Sequence, residues 1–215
     1  VVPHNRKTGE WTAAVNMNFG SALEYALNQG VSLMTGERMG LDEKPAAEMT
    51  SFDEVKTAFY RQFDNLCRHS IILTVEAQRL HREMVPRPFL SSCIEHCLES
   101  GKDLSHGGAQ YNIGPVITGI GLAVVANSLA AVKKLVFEDK VCNMATLAKA
   151  LQADWQGYEE LQKAAKAAPK YGNDDDYADD IAREIANHFY KEIHQYKDIF
   201  GSPFLTAFMG ISNYI

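Results

Sequence analysis

Six glycines crowd into positions 101–121, and behind them a stretch at 122–137 is apolar on nearly every side until Lys133 and Lys134. A helix without a polar face has to be buried, so layers of structure must lie against it from several directions, more than a chain of this size offers. Within the glycine-rich part, Val116-Ile117-Thr118 is a short β-prone run. Glycine is used where a side chain would collide, so the spacing predicts a strand that passes close to something and feeds into a buried helix. The expected class is α/β, predominantly helical in this piece, with a few short buried strands.

The remaining pattern is helical. From Asn18, the apolar Phe19, Ala22, Leu23, Ala26 and Leu27 recur at spacings of three and four, and Gly30 stands where a helix-ending glycine would. Ser51-Phe52-Asp53-Glu54 is a capping box. Behind it Phe52, Val55, Phe59, Phe63, Leu66, Ile71 and Val75 share a face to about Met84, where Pro86 stops the helix. A shorter helix is expected from Pro88 to Ser100, with Gly101 at its end. Further helices are expected at 144–155, 158–167 and 176–199, and a strand from 204 on. Residues 1–16 read as turn-rich, and both chain ends read as cut from something longer.

Composition narrows the function. The formal net charge of −6 argues against non-specific nucleic-acid binding, which needs clustered Lys and Arg. No stretch approaches the ~18 apolar residues of a membrane span. Four cysteines are too few for a disulfide scaffold, so the expected setting is reducing and cytoplasmic. Cys93 and Cys97 flank His96, but no second ligand pair exists for a metal, and buried small side chains are the expected reading. The seven histidines are dispersed and read as surface or structural. The run from Gly114 to Gly121 lacks the Lys of a phosphate loop, and Pro115 removes an amide donor. Asp174-Asp175-Asp176 lacks the calcium-loop pattern and reads as an acidic first turn of a helix. None of these motifs carries an activity or a metal.

A longer set of blocks is more specific. Gly101-Lys102-Asp103-Leu104, then Gly107-Gly108-Ala109-Gln110-Tyr111-Asn112, Gly114-Pro115 and the run at 124–134 (VVANSLAAVKK) resemble the glycyl radical enzymes. The branch is the one related to pyruvate formate-lyase that includes glycerol dehydratase, choline trimethylamine-lyase and arylacetate decarboxylases. Collinear blocks agree: Leu23-Glu24-Tyr25-Ala26-Leu27-Asn28-Gln29-Gly30, Thr35-Gly36, Ser51-Phe52-Asp53-Glu54, Pro88-Phe89-Leu90-Ser91-Ser92, and the run from Ala168 to Asp176.

The resemblance implies a fragment of a ten-stranded α/β barrel, two half-barrels of parallel strands wrapped by helices. It implies a cysteine loop and a glycine loop meeting inside, with a radical-SAM iron–sulfur activase installing the glycyl radical. Cys67, Cys93, Cys97 and Cys142 do not sit in the family's G-C-x-E setting, and no R-V-x-G glycine motif is present. Residues 1–215 are therefore expected to be an internal segment of one large catalytic domain, between the cysteine loop and the glycyl radical domain. No catalytic residue and no bound cofactor are expected in this chain, and the isolated piece is expected to be inactive.

The implied function is cleavage of a C–C or C–heteroatom bond in a small organic substrate by thiyl-radical hydrogen abstraction. The implied substrate-binding residues are Thr12, Val116, Ile117, Thr118 and Phe208. The diol-dehydratase pattern places His-Asp after a Trp. Here Trp11 is followed by Thr12 and Ala13, closer to the choline-lyase type. The implied partners are a small-molecule substrate, the activase and a second copy in a full-length homodimer, with no nucleic acid and no membrane. The alternatives are a fumarate-adding enzyme of the benzylsuccinate synthase type and a non-catalytic helical interaction module.

Overall fold

A computed structural model describes residues 7–10 and 14–210. In chain order the elements are β1 (Thr8–Glu10), β2 (Val15–Asn18), α1 (Phe19–Leu27), α2 (Phe52–Met84), α3 (Pro88–Ser92) and α4 (Cys97–Ser100). They continue with β3 (Tyr111–Ile113), β4 (Val116–Ile120), α5 (Leu122–Val132), α6 (Met144–Gln152), α7 (Glu159–Ala167), α8 (Asp176–His194) and β5 (Leu205–Met209). No described helix is long and apolar enough to cross a membrane.

The chain divides into two compact units. The first takes the described part of Val1–Met17 with Cys67–Gly119 and Phe189–Phe208. In it β1 and β3 pair in parallel, Thr8 beside Tyr111 and Glu10 beside Ile113, and a three-stranded sheet has the order β2-β4-β5. Long excursions separate β2 from β4 and β4 from β5, as crossover connections require. The sulfur of Cys67 lies 3.7 Å from that of Met17, both buried. Deeper along α2, Gln78 donates to the Asp198 carboxylate at 3.1 Å in the buried interior.

The second unit takes Asn18–Leu66, Ile120–His188 and what is described after Met209. Its core stacks Phe19, Phe59 and Phe63, with the Phe19 and Phe63 rings 4.7 Å apart edge to face. Such pairs add about 1 kcal/mol beyond the area they bury. The first half of α2 lies against α8. There the His188 Nε2 sits 2.6 Å from the Asp64 carboxylate, its ring against Tyr60, and Lys56 pairs with Glu184 at 2.7 Å.

The long helix starts where the capping box places it. The Glu54 amide donates to the Ser51 hydroxyl at 3.2 Å, and the Glu54 carboxylate accepts from the Thr50 amide at 2.6 Å. Lys44 hydrogen-bonding and the Thr50 amide pull the Glu54 carboxyl down to about 2.

Several expectations are corrected. The helix expected from Pro88 to Ser100 is two short ones, because His96 takes a left-handed φ of 76° that a helix interior does not accommodate. The last helix ends at His194 rather than near 199. Asp198 turns the chain there by accepting the amides of Phe200 and Ser202 at 2.9 and 2.8 Å. The run at 122–137 begins as α5 and passes into a π-helical segment, Lys133–Glu138. It is buried on one side only, since Val124 is 55% exposed. Cys93 is exposed, whereas Cys67 and Cys97 are buried, and none of the four cysteines is disulfide-bonded. The turn-rich reading of 1–16 missed β1 and the start of β2.

Candidate functional site

The sheet of the first unit is the part of this chain that can form a wall, and it is locked by two backbone contacts. The Leu205 amide donates to the Pro115 carbonyl at 2.8 Å, and the Ala14 amide donates to the Val116 carbonyl at 3.0 Å. Both β4 and β5 run onward from the bond at Pro115, so they are parallel and Leu205 stands level with Val116. Gly114 allows this approach. A Cβ there would lie 1.7 Å from the Pro203 carbonyl oxygen, so the close neighbour that the glycine spacing predicted is the protein's own backbone at this position. The turn ahead of β5 is fixed by the Asp198 carboxylate and by the Ser202 hydroxyl, which donates to the Asn112 carbonyl at 2.6 Å.

Of the residues singled out in the sequence, Thr12 lies outside the described residues. Val116, Ile117 and Thr118 lie on β4, where successive side chains point to opposite faces. Ile117 therefore faces away from Val116 and Thr118. Ile117 is completely buried, Thr118 is 3% exposed and Val116 is partly exposed. On β5, the Phe208 ring meets Phe189 of α8 edge to face at 5.7 Å, and the Thr206 hydroxyl lies 3.5 Å from His194 at the end of α8. That face of β5 is turned to α8, even though Phe208 remains 49% exposed. The strand register sets Ile117 on the same face as Thr206 and Phe208. Val116 and Thr118 share the other face with Leu205 and Ala207, two residues that sequence reasoning missed. Strand alternation is the signal that points to them.

Two thiols of this chain, Cys97 and Cys142, are poorly suited to nucleophilic work. Burial, then the nearby Asp103 and Glu99, pushes the Cys97 thiol up, and burial alone does the same to Cys142. A raised thiol holds its proton and is a weak nucleophile at neutral pH. Asp103, in the block Gly101-Lys102-Asp103-Leu104, has a structural task. One carboxylate oxygen accepts the Ser105 amide at 2.8 Å, and the other accepts the Arg87 amide at 2.9 Å, tying α3 to the glycine-rich segment.

The second unit holds an apolar groove of about 660 Å³, lined among others by Leu23, Leu27, Val124, Leu135, Leu147 and Trp155. Its walls come from α1, α5, α6 and α7, and the unburied side of α5 opens onto it.

A parallel wall of short strands entering an apolar helix, with collinear glycine-rich blocks, matches one family model along almost the whole chain. The pyruvate formate lyase-like model matches residues 3–215. The chain belongs to that family. A trans-4-hydroxy-L-proline dehydratase of Clostridioides difficile is 36% identical over 178 residues, covering 82% of this chain and 22% of that relative. An isethionate sulfite-lyase of Bilophila wadsworthia is also 36% identical, covering 78% of this chain and 20% of that relative. Among solved structures, the glycerol-bound B12-independent glycerol dehydratase of Clostridium butyricum superposes with a TM-score of 0.84 at 34% identity. That match covers 93% of this chain and 25% of the neighbour. The pyruvate formate lyase-like chain thus spans about a fifth to a quarter of the proteins it matches, and it is a fragment of their α/β barrel fold.

Proposed function

We propose that residues 1–215 are wall and buttress of a glycyl radical enzyme that breaks a C–C or C–heteroatom bond in a small organic substrate. The observation that carries this is the family match from residue 3 to residue 215, together with relatives that are a dehydratase and a sulfite-lyase. Dehydration and sulfite release are both eliminations, which favours this reading over a fumarate-adding synthase or a non-catalytic module. The segment lies between a cysteine loop and a glycyl radical domain of one longer catalytic polypeptide, which works as a cytoplasmic homodimer.

In this reading a radical-SAM activase removes a hydrogen atom from a glycine outside this chain. The glycine radical takes a hydrogen atom from a cysteine thiol, also outside it, and the thiyl takes one from a substrate carbon. The substrate radical then loses its leaving group, and the product radical regains a hydrogen atom from the thiol. What this chain supplies is enclosure. Radical chemistry needs a pocket closed to water and oxygen, and the sheet β2-β4-β5 backed by α8 gives part of such a wall. Thr12, Val116, Ile117, Thr118 and Phe208 are the proposed substrate-binding residues; of the four that are described, Val116 and Thr118 share one face of that wall and Ile117 and Phe208 the other.

The test is expression of the complete reading frame with its activase under anaerobic conditions. The expected result is a glycyl doublet by electron paramagnetic resonance and oxygen-dependent cleavage at that glycine. Glycerol, isethionate and trans-4-hydroxy-L-proline serve as first probes of turnover. A complete protein that yields neither the doublet nor the cleavage is not a glycyl radical enzyme.

A further inference from the structure

We infer that Gln78 and Asp198 are positioning residues: their hydrogen bond, made from α2, sets where β5 lies against β4 and so holds that strand in place. The consequence for turnover rests on the reading of the chain as part of a barrel enzyme. The inference names a device outside the sheet that keeps the sheet in register.

Left to itself, β5 is weakly fixed. It has five residues, and in the described sheet β2-β4-β5 it stands at the end of the order with β4 as its neighbour. A slip of one residue turns every side chain of a strand to the opposite face, so the register needs an anchor. The connection 195–204 supplies one. The Asp198 Oδ1 accepts the amides of Phe200 and Ser202 at 2.9 and 2.8 Å and closes a turn. The Ser202 hydroxyl donates to the Asn112 carbonyl at 2.6 Å, the Pro203 carbonyl lies against Gly114, and the Leu205 amide reaches the Pro115 carbonyl at 2.8 Å.

The second carboxylate oxygen does something the turn does not need. Asp198 Oδ2 accepts from the Gln78 Nε2 at 3.1 Å, across 120 positions of sequence. The Ile199 amide in turn points to the Gln78 Oε1 at 3.5 Å. Gln78 is 1% exposed and Asp198 8%. Burying an amide and a carboxylate is costly unless each is bonded, and the turn itself uses Oδ1 alone. The bond from α2 therefore fixes the place of the turn relative to the helix, and the contacts from Ser202 to Leu205 inherit that place.

The placement can be tested without knowing the substrate, by amide hydrogen exchange and mass spectrometry on the complete, unactivated protein. Gln78→Glu sets a second carboxylate against Asp198. It is expected to speed exchange of the peptide at 204–209 about tenfold or more, with the α8 peptide at 181–187 unchanged. Adding Asp198→Asn reverses donor and acceptor and is expected to bring the rate back to within about threefold of the parent. Gln78→Met, which removes the bond without adding charge, is read in the same way should Gln78→Glu fail to fold. Unchanged exchange at 204–209, an equal rise in both peptides, or no recovery in the double variant overturns the inference.

In the activated enzyme, with the radical yield measured in the same samples, Gln78→Glu is expected to lower kcat per radical about tenfold, and the double variant to recover it. Unchanged kcat in Gln78→Glu overturns the link to turnover. A complete protein that never forms the radical defeats the broader reading, while the exchange contrast still decides whether the pair positions β5.

Discussion

At Gly114 the molecule tolerates no side chain, because a Cβ would meet the Pro203 carbonyl oxygen 1.7 Å away and backbone cannot yield as a side chain does. Gly114→Ala is expected to destabilise the protein by about 3 kcal/mol, at the upper end for overpacking, read as a lower urea midpoint with an unchanged slope. Asp103 makes a pH-dependent contribution. Burial pushes its carboxyl up, but hydrogen bonds from Ser105, Ser91 and the Arg87 amide outweigh that and hold it below 3.8. A carboxyl lowered by folding stabilises above its unfolded value and loses that contribution as pH falls through the folded one. The stability gap between the protein and its Asp103→Asn variant is therefore expected to be constant above about pH 5 and to narrow below about pH 4. A gap that widens on acidification would contradict this. The block containing Asp103 was legible in the sequence as a family signature; the four hydrogen-bonding partners of its carboxylate come from three separate chain positions, which local pattern does not join.

Among the elements, α2 was the most legible, and the reason is local. Its start is a side chain reaching an amide three residues on, and its end is a proline two residues past Met84. Ser51→Ala is expected to cost about 1 kcal/mol in thermal or urea unfolding, the usual worth of a helix cap. Its buried polar residues were not legible. Gln62 donates to the Leu41 carbonyl at 2.8 Å and accepts the Leu41 amide at 2.9 Å, while Gln78 holds Asp198. Both are completely or almost completely buried, yet a glutamine on a helix face reads as solvent-exposed until the loop it binds is known. Gln78→Leu keeps the volume and strands the Asp198 carboxylate, so a loss of about 2 kcal/mol is expected. The end of α8 was misplaced for the same reason: the Asp198 turn that stops it depends on amides further along the chain.

On the scale of the whole molecule, apolar surface is left open in both units. Phe89 is 86% exposed and Leu98 71% in the first, and Val124 faces the groove of the second. Patches of this kind mark surfaces that another part of an assembly covers. Residues 1–215 expressed alone are therefore expected to bind the dye ANS strongly and to self-associate on size exclusion, whereas the complete protein does neither to the same degree. A monomeric isolated chain without dye binding would show that these faces need no cover.

Sequence by itself determined the family, the capped start of the longest helix and the strand-to-helix step at Gly121, because these depend on residues close together in the chain. Only tertiary structure decided which side of β5 meets α8. Alternation along a strand is blind to inside and outside until a helix packs on one face, and here the choice is made by α8 seating Phe189 against Phe208.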